Sequence, residues 1–240
     1  MITGIIIALA DEVNSLTSKK INKGDCVFIK DNILVCCSGA GPANARQASQ
    51  ALIDKGATKL ISWGCAAALK PELSPGDLVL PETLLTENLT KISQRSSWFI
   101  STKALLSELM PKTGALIESS RIIAESNAKS HIHQQSSAIA LDMESIAVAQ
   151  VAQEHNIPNL TIRCIADPVS MSLPKAISHA MNQQGDIELS KLLWFLLSHP
   201  NELPGLIKLG LHFNAAKNKL KLVAKHIDTI VGFEQSIESK

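Results

Sequence analysis

The sequence predicts an α/β protein in which helices pack on a mixed β-sheet. Three observations predict it. Short apolar runs rich in β-branched residues alternate with longer helical stretches along the whole chain. Gly, Pro, Asp or Ser bounds most of these runs, as expected for buried strands. The chain has 240 residues, 45% hydrophobic and 19% charged, a globular balance. At that length folding buries roughly three quarters of the unfolded surface, so a core forms without staples.

The elements follow in order. Candidate strands are Ile2–Leu9, Cys26–Ile29, Ile33–Ser38, Lys59–Trp63, Asp77–Leu80, Thr113–Ile117, Ser137–Leu141 and Leu160–Ile165. Candidate helices are Pro42–Lys55, Thr102–Leu109, Glu144–Glu154, Lys175–Leu197 and Leu203–Ile230. Pro42 suits a first helical turn, and Gly56 follows the first helix where a left-handed cap belongs. Pro200, Pro204 and Gly205 mark a break before the last helix. Residues 199–240 therefore read as a helical appendage of a single 1–240 domain.

Composition excludes several function classes. Twenty-three basic and 22 acidic residues give a net charge of +1, which argues against a globally basic nucleic-acid binder. Aromatics are 3% with no Tyr, which disfavours a base-stacking platform. No apolar run reaches membrane-spanning length, and the N-terminus lacks the basic flank of a secretory signal. The five scattered cysteines include no C-x-x-C pair. They predict reduced thiols in a cytoplasmic protein and offer no zinc site; no metal and no resident cofactor are expected.

Five segments can carry chemistry. Ser38-Gly39-Ala40-Gly41-Pro42 joins a strand to a helix. It reads as a tight turn or as an anion site at a helix N-terminus. Ser62-Trp63-Gly64-Cys65-Ala66-Ala67-Ala68-Leu69 follows a strand, and its small residues suit either ligand approach or helix packing. No His neighbours Cys65 in sequence, so a nucleophilic thiol is not favoured. Leu141-Asp142-Met143-Glu144-Ser145 puts two carboxylates at a strand-to-helix junction. They read as helix-dipole partners, or Glu144 accepts hydrogen bonds from vicinal ribose hydroxyls. Asp167, before Pro168, reads as a turn residue or as a general acid at a strand end. Asp11-Glu12 alone suggests only solvated acids or a cap. His131 and His133 read as a solvated pair.

Together these segments resemble the nucleoside phosphorylase and nucleosidase superfamily. The matching stretches are Ile5–Val13, Ser38–Ala45, Ser62–Pro81, Leu116–Ser120, Leu141–Ala149 and Arg163–Asp167. Further matches look like the hopanoid-associated phosphorylase branch: Ala166-Asp167-Pro168, Ser172-Leu173-Pro174, Gly185-Asp186, Pro200 and Leu203-Pro204. The resemblance implies a three-layer α/β/α fold with a central mixed sheet and a helical C-terminal extension. It implies an enzyme that cleaves a purine N-glycosidic bond, releasing adenine from adenosylhopane with inorganic phosphate as co-substrate. Asp167 would protonate N7, Glu144 would hold the ribose hydroxyls, and Met143 would pack on the sugar. Ser119 and Ile123 (or Ile122) complete the substrate-binding set. The nucleophile would sit near Gly39, Gly41, Gly64 and Cys65, with Arg46 as a candidate phosphate partner.

Glu12 matches a residue that activates water in methylthioadenosine and adenosylhomocysteine nucleosidases, which keeps hydrolysis open. The sequence also departs from the family pattern. Ala66-Ala67-Ala68 stands for Ala-Gly-Gly, and Ala166 stands where a Ser usually precedes the acid. These changes also suit a non-catalytic nucleoside- or lipid-binding homologue. The resemblance implies a homodimer.

The C-terminal part is the most apolar. It comprises Leu192–Leu197 and a run with apolar or small residues at Leu203, Leu206 or Ile207, Gly210, Phe213, Ala216, Leu220 and Val223. Residues 203–226 hold five lysines and no acid, with Lys217, Lys221 and Lys225 on one stripe. The segment reads as a helix covering the sheet or as a peripheral membrane contact.

Overall fold

A computed structural model describes residues 1–180, 195 and 198–233. Most of the predicted Lys175–Leu197 helix, including Gly185-Asp186 and nearly all of Leu192–Leu197, lies outside the described residues. Among the described residues ten strands form one mixed sheet. They are β1 (Ile2–Ile7), β2 (Cys26–Lys30), β3 (Ile33–Cys37), β4 (Ala57–Ala68), β5 (Leu78–Val79), β6 (Thr83–Leu85), β7 (Lys91–Ser93), β8 (Ala115–Glu118), β9 (Ala140–Asp142) and β10 (Asn159–Asp167). The order is β2-β3-β1-β4-β9-β8-β6-β7, with β10 paired to β4 and β5. Among the described residues the α-helices are α1 (Ala10–Val13), α2 (Pro42–Asp54), α3 (Ser97–Leu105), α4 (Ser126–Ser136), α5 (Ser145–Glu154), α6 (Lys175–Ala180), α7 (Leu203–Ala224) and α8 (Ile227–Gly232).

Alternation along the strands builds the three layers. On β1, Ile6 packs with Leu52 of α2 and Val148 of α5. Its neighbours Ile5 and Ile7 join Trp98 of α3 and Leu220 and Val223 of α7 in the core beneath the opposite face. Gly4 lies on the α2 face, where a Cβ would come within 2.9 Å of Leu60. The C-terminal helices thus share this core. Lys59 pins them: its Nζ donates to the carbonyls of Val231 and Phe233 and sits 5.2 Å from the Trp98 ring centroid.

Several elements differ from the sequence expectation. The Ser62–Leu69 stretch does not follow a strand but continues one; through Ala68 it is the second half of β4. β6 and β7 are three-residue strands, too short to show periodicity. The polar stretch around His131 and His133 is a helix, α4, and the His133 ring bonds to the Ala138 carbonyl at 2.7 Å. The long last helix is two helices, α7 and α8.

β1, β3, β4 and β10 run parallel, so the loops at their carboxyl ends gather on one edge of the sheet. The β10 register skips between Ile165 and Asp167, so Ala166 is an extra residue against β4. Such a bulge re-aims the following side chain, here Asp167.

Candidate active site

A cavity of about 510 Å³ opens at this edge. Glu12, Cys65, Ile123, Met143, Glu144 and Asp167 line it together. These six expected residues come from five separate segments. Leu173, Ile177 and, from α7, Leu206, Leu209, Gly210 and Phe213 add an apolar wall.

Glu12 is the largest departure from the local reading. Asp11 is solvated, but Glu12 is buried. Its carboxylate accepts from the backbone N–H of Cys65 at 2.7 Å and of Leu9 at 3.1 Å. Burial pushes the Glu12 pKa up, while Arg163 and these amides oppose the rise.

Glu144 is the residue just before α5, yet its side chain caps no amide of that helix. Instead its Oε1 accepts from the Gly41 N–H at 2.9 Å, across more than a hundred residues of chain. Burial raises its pKa to about 7, against the pull of Arg163. Arg163 is itself 1% exposed and central to the site. Its Nε lies 2.5 Å from Asp142 Oδ2, and its Nη2 lies 3.6 Å from Glu144 Oε2. Nη2 also donates to Ser62 Oγ at 2.7 Å. Burial works against the guanidinium charge, but Asp142, Glu144 and Glu12 hold its pKa above the ordinary value. Gly64 makes room for this group: a Cβ there would meet Arg163 Nη1 at 2.5 Å and Glu12 Oε1 at 2.9 Å.

Asp167 is mostly buried and paired with Lys129, whose Nζ is 2.6 Å from Oδ1. Burial raises the Asp167 pKa, and the Lys129 charge opposes it.

The other expected residues sit elsewhere. Arg46 is exposed on α2 and paired with Glu154 at 2.6 Å, so it is not a phosphate partner in this arrangement. The Gly39 and Gly41 amides donate to Ala8 O and to Glu144, which leaves neither for an anion. Gly64 stands behind the cavity as spacing for Arg163. Ser119 Oγ donates to the Arg121 carbonyl at 2.5 Å and its N–H to Asp142 O, so it shapes the loop rather than the cavity wall. Cys65 contributes its backbone amide; burial pushes its thiol pKa well above the usual value, against a thiolate nucleophile. In the sequence Arg163 stands only as the start of the Arg163–Asp167 stretch, with no role of its own, and no motif points to Lys129. Arg163 was legible as a lone charge inside an apolar strand, a pattern that demands buried partners.

Comparison with known proteins decides the family. A model described as the phosphorylase superfamily matches residues 4–192. The chain belongs to the phosphorylase superfamily. Phosphorylase-superfamily membership makes it an enzyme of the nucleosidase and phosphorylase class, acting on N-glycosidic bonds. It is 26% identical over 194 residues to the 5′-methylthioadenosine/S-adenosylhomocysteine nucleosidase of Staphylococcus epidermidis, covering 68% of this chain and 85% of the relative. In fold it is similar to the Helicobacter pylori nucleosidase of the same name, with a TM-score of 0.69 at 19% identity, over 96% of this chain and 97% of the other. Futalosine hydrolase of Helicobacter pylori has a TM-score of 0.68 at 17% identity, over 96% and 97% of the two chains. The superfamily relatives therefore bear out the expected three-layer fold.

Proposed function

We propose that the protein hydrolyses the N-glycosidic bond of a 5′-substituted adenine nucleoside. One observation carries this reading: the buried carboxylate Glu12 lines the same cavity as Met143, Glu144 and Asp167. A phosphorolytic enzyme needs no base for its nucleophile, because phosphate is already an anion. Glu12 and Glu144 offer a phosphate dianion no positive charge, and Arg163 is already committed to carboxylates.

In this mechanism Asp167 gives its proton to N7 of adenine. The C1′–N9 bond breaks, and its electron pair stays with the neutral base. Glu144 holds the 2′ and 3′ hydroxyls, and Met143 packs on the ribose. Water forms the new bond to C1′, and its proton passes to Glu12. Positioning and electrostatics supply the acceleration. The named activity of the Staphylococcus relatives supports methylthioadenosine and adenosylhomocysteine as substrates.

The α7 wall favours a second reading of the substrate, adenosylhopane. Leu206, Leu209 and Phe213 would meet an apolar 5′ chain far longer than a methylthio group. Leu203, Ile207 and Leu211 are exposed one turn apart on the same helix, which suits contact with the membrane holding such a lipid. Incubation with methylthioadenosine and with adenosylhopane, each with and without phosphate, separates the readings by release of adenine. Release of adenine that needs no phosphate supports hydrolysis, and the preferred nucleoside identifies the 5′ group. Strict phosphate dependence would overturn the hydrolytic reading.

A further inference from the structure

Lys129 is a charged side chain with no exposure at all, on a helix that the sequence left as a polar stretch. An ammonium group has three protons to place. Here all three have acceptors: Asp167 Oδ1 at 2.6 Å, Met171 O at 2.8 Å and Pro168 O at 3.3 Å. The lysine thus ties α4 to the turn that follows β10. Two further bonds join the same segments. The Leu173 N–H donates to Ala124 O at 2.9 Å, and the Ser126 N–H donates to Ser172 Oγ at 3.1 Å. Both segments reach the cavity, through Ile123 and Leu173.

A buried, unpaired ammonium is costly, and its burial here is explained by what it holds. With Oδ1 engaged by Lys129, only the second Asp167 oxygen is left to meet a ligand. The preceding Ala166 offers a methyl group and no hydroxyl to orient the carboxylate.

We propose that Lys129 is a positioning residue for Asp167, clamping one carboxyl oxygen so that the other presents its proton to the departing purine. The inference rests on the reading of Asp167 as the acid at the base. It deepens that reading, because it makes the acid a two-residue device assembled from β10 and α4. Other charged groups have other partners or places. Arg121, Glu12 and Glu144 line the same cavity but form no ion pair with Asp167 among the described residues. On α4, His131 is exposed and His133 bonds to Ala138 O; on α6, Lys175 and His179 are exposed.

The test reads the charge state of Asp167 without turnover. Adenine binding is measured by calorimetry between about pH 5 and 9. Binding that uses a proton on Asp167 weakens as pH rises through its pKa. In Lys129→Met the weakening should move up by about 1–3 pH units, the range expected when an opposite charge is withdrawn from a carboxylate. Lys129→Arg should keep the wild-type position. A merely structural lysine would lower the melting temperature and leave the midpoint unmoved, and that result would overturn the proposal. Unmodified protein gives a second readout that survives misfolding of either variant. The Lys129 ¹⁵Nζ and Asp167 carboxyl ¹³C signals should move in one coupled step; an Nζ signal indifferent to that step also overturns it. Wild-type protein that binds no adenine at any pH would overturn the base-binding reading instead, while the ligand-free titration still decides the role of Lys129.

Discussion

Replacing Arg163 by Met removes the positive charge from a buried cluster of acids while keeping most of the side-chain volume. At an effective dielectric near 20, the 2.5 Å contact with Asp142 corresponds to a gross attraction of roughly 7 kcal/mol, and the 3.6 Å contact with Glu144 to roughly 5. Desolvation of the ions offsets most of this, so the pair is a weak source of net stability. Removing one partner is different, because the remaining carboxylates stay buried and uncompensated. The expected loss is about 3–5 kcal/mol. For a chain of this size that lowers Tm by roughly 6–20 °C. The loss should depend on pH, and the sign follows from the direction of the shifts. The folded pKa of Glu144 is raised to about 7, and that of Glu12 is also raised. Each therefore contributes stability that is full below its unfolded pKa and is lost as pH rises through the folded one. Without Arg163 both pKa values rise further, so the acids stay neutral to higher pH. The deficit of Arg163→Met against wild type should be smallest near pH 5 and grow toward about pH 8. Calorimetric melts across that range measure it. A deficit under about 1 kcal/mol, or one that is flat with pH, would refute the picture of a buried acid cluster held by one guanidinium.

Other substitutions probe the remaining parts. Asp167→Asn should retain the fold by circular dichroism and lower the rate of adenine release by about 10²–10⁴. Glu144→Gln should raise KM and erase most of the preference for ribosides over 2′-deoxyribosides, measured as a ratio of kcat/KM values. Gly64→Ala presses a methyl into Arg163 and Glu12 and should cost about 1–3 kcal/mol in a denaturant melt. A Cβ at Gly210 meets nothing within 4 Å although the residue lines the cavity. Gly210→Phe should therefore fold normally and depress turnover of nucleosides with bulky 5′ chains more than that of methylthioadenosine.

Much of the fold was legible because burial writes itself into strand patterns. The continuous apolar runs of β1 and β3, and the small residues of α2, place those elements without any long-range information. What stayed hidden was non-local. Glu12 follows one strand and reads as solvated, until the Cys65 amide from another strand reaches it. The Gly41 amide reads as an anion site, until Glu144 from a distant junction takes it. Arg46 and Lys129 make the point from opposite sides. Both are helix-borne cations with ordinary local surroundings, yet one is solvated against Glu154 and the other is wholly buried against Asp167. No periodicity separates them, because the partner that decides each case lies tens of residues away.

The central claim is that water, directed by Glu12, is the nucleophile. Turnover in H₂¹⁸O with phosphate present, followed by mass spectrometry of the released sugar, tests it directly. The account predicts one ¹⁸O atom bonded at C1′ and no sugar phosphate. A ribose 1-phosphate product without the label would contradict it.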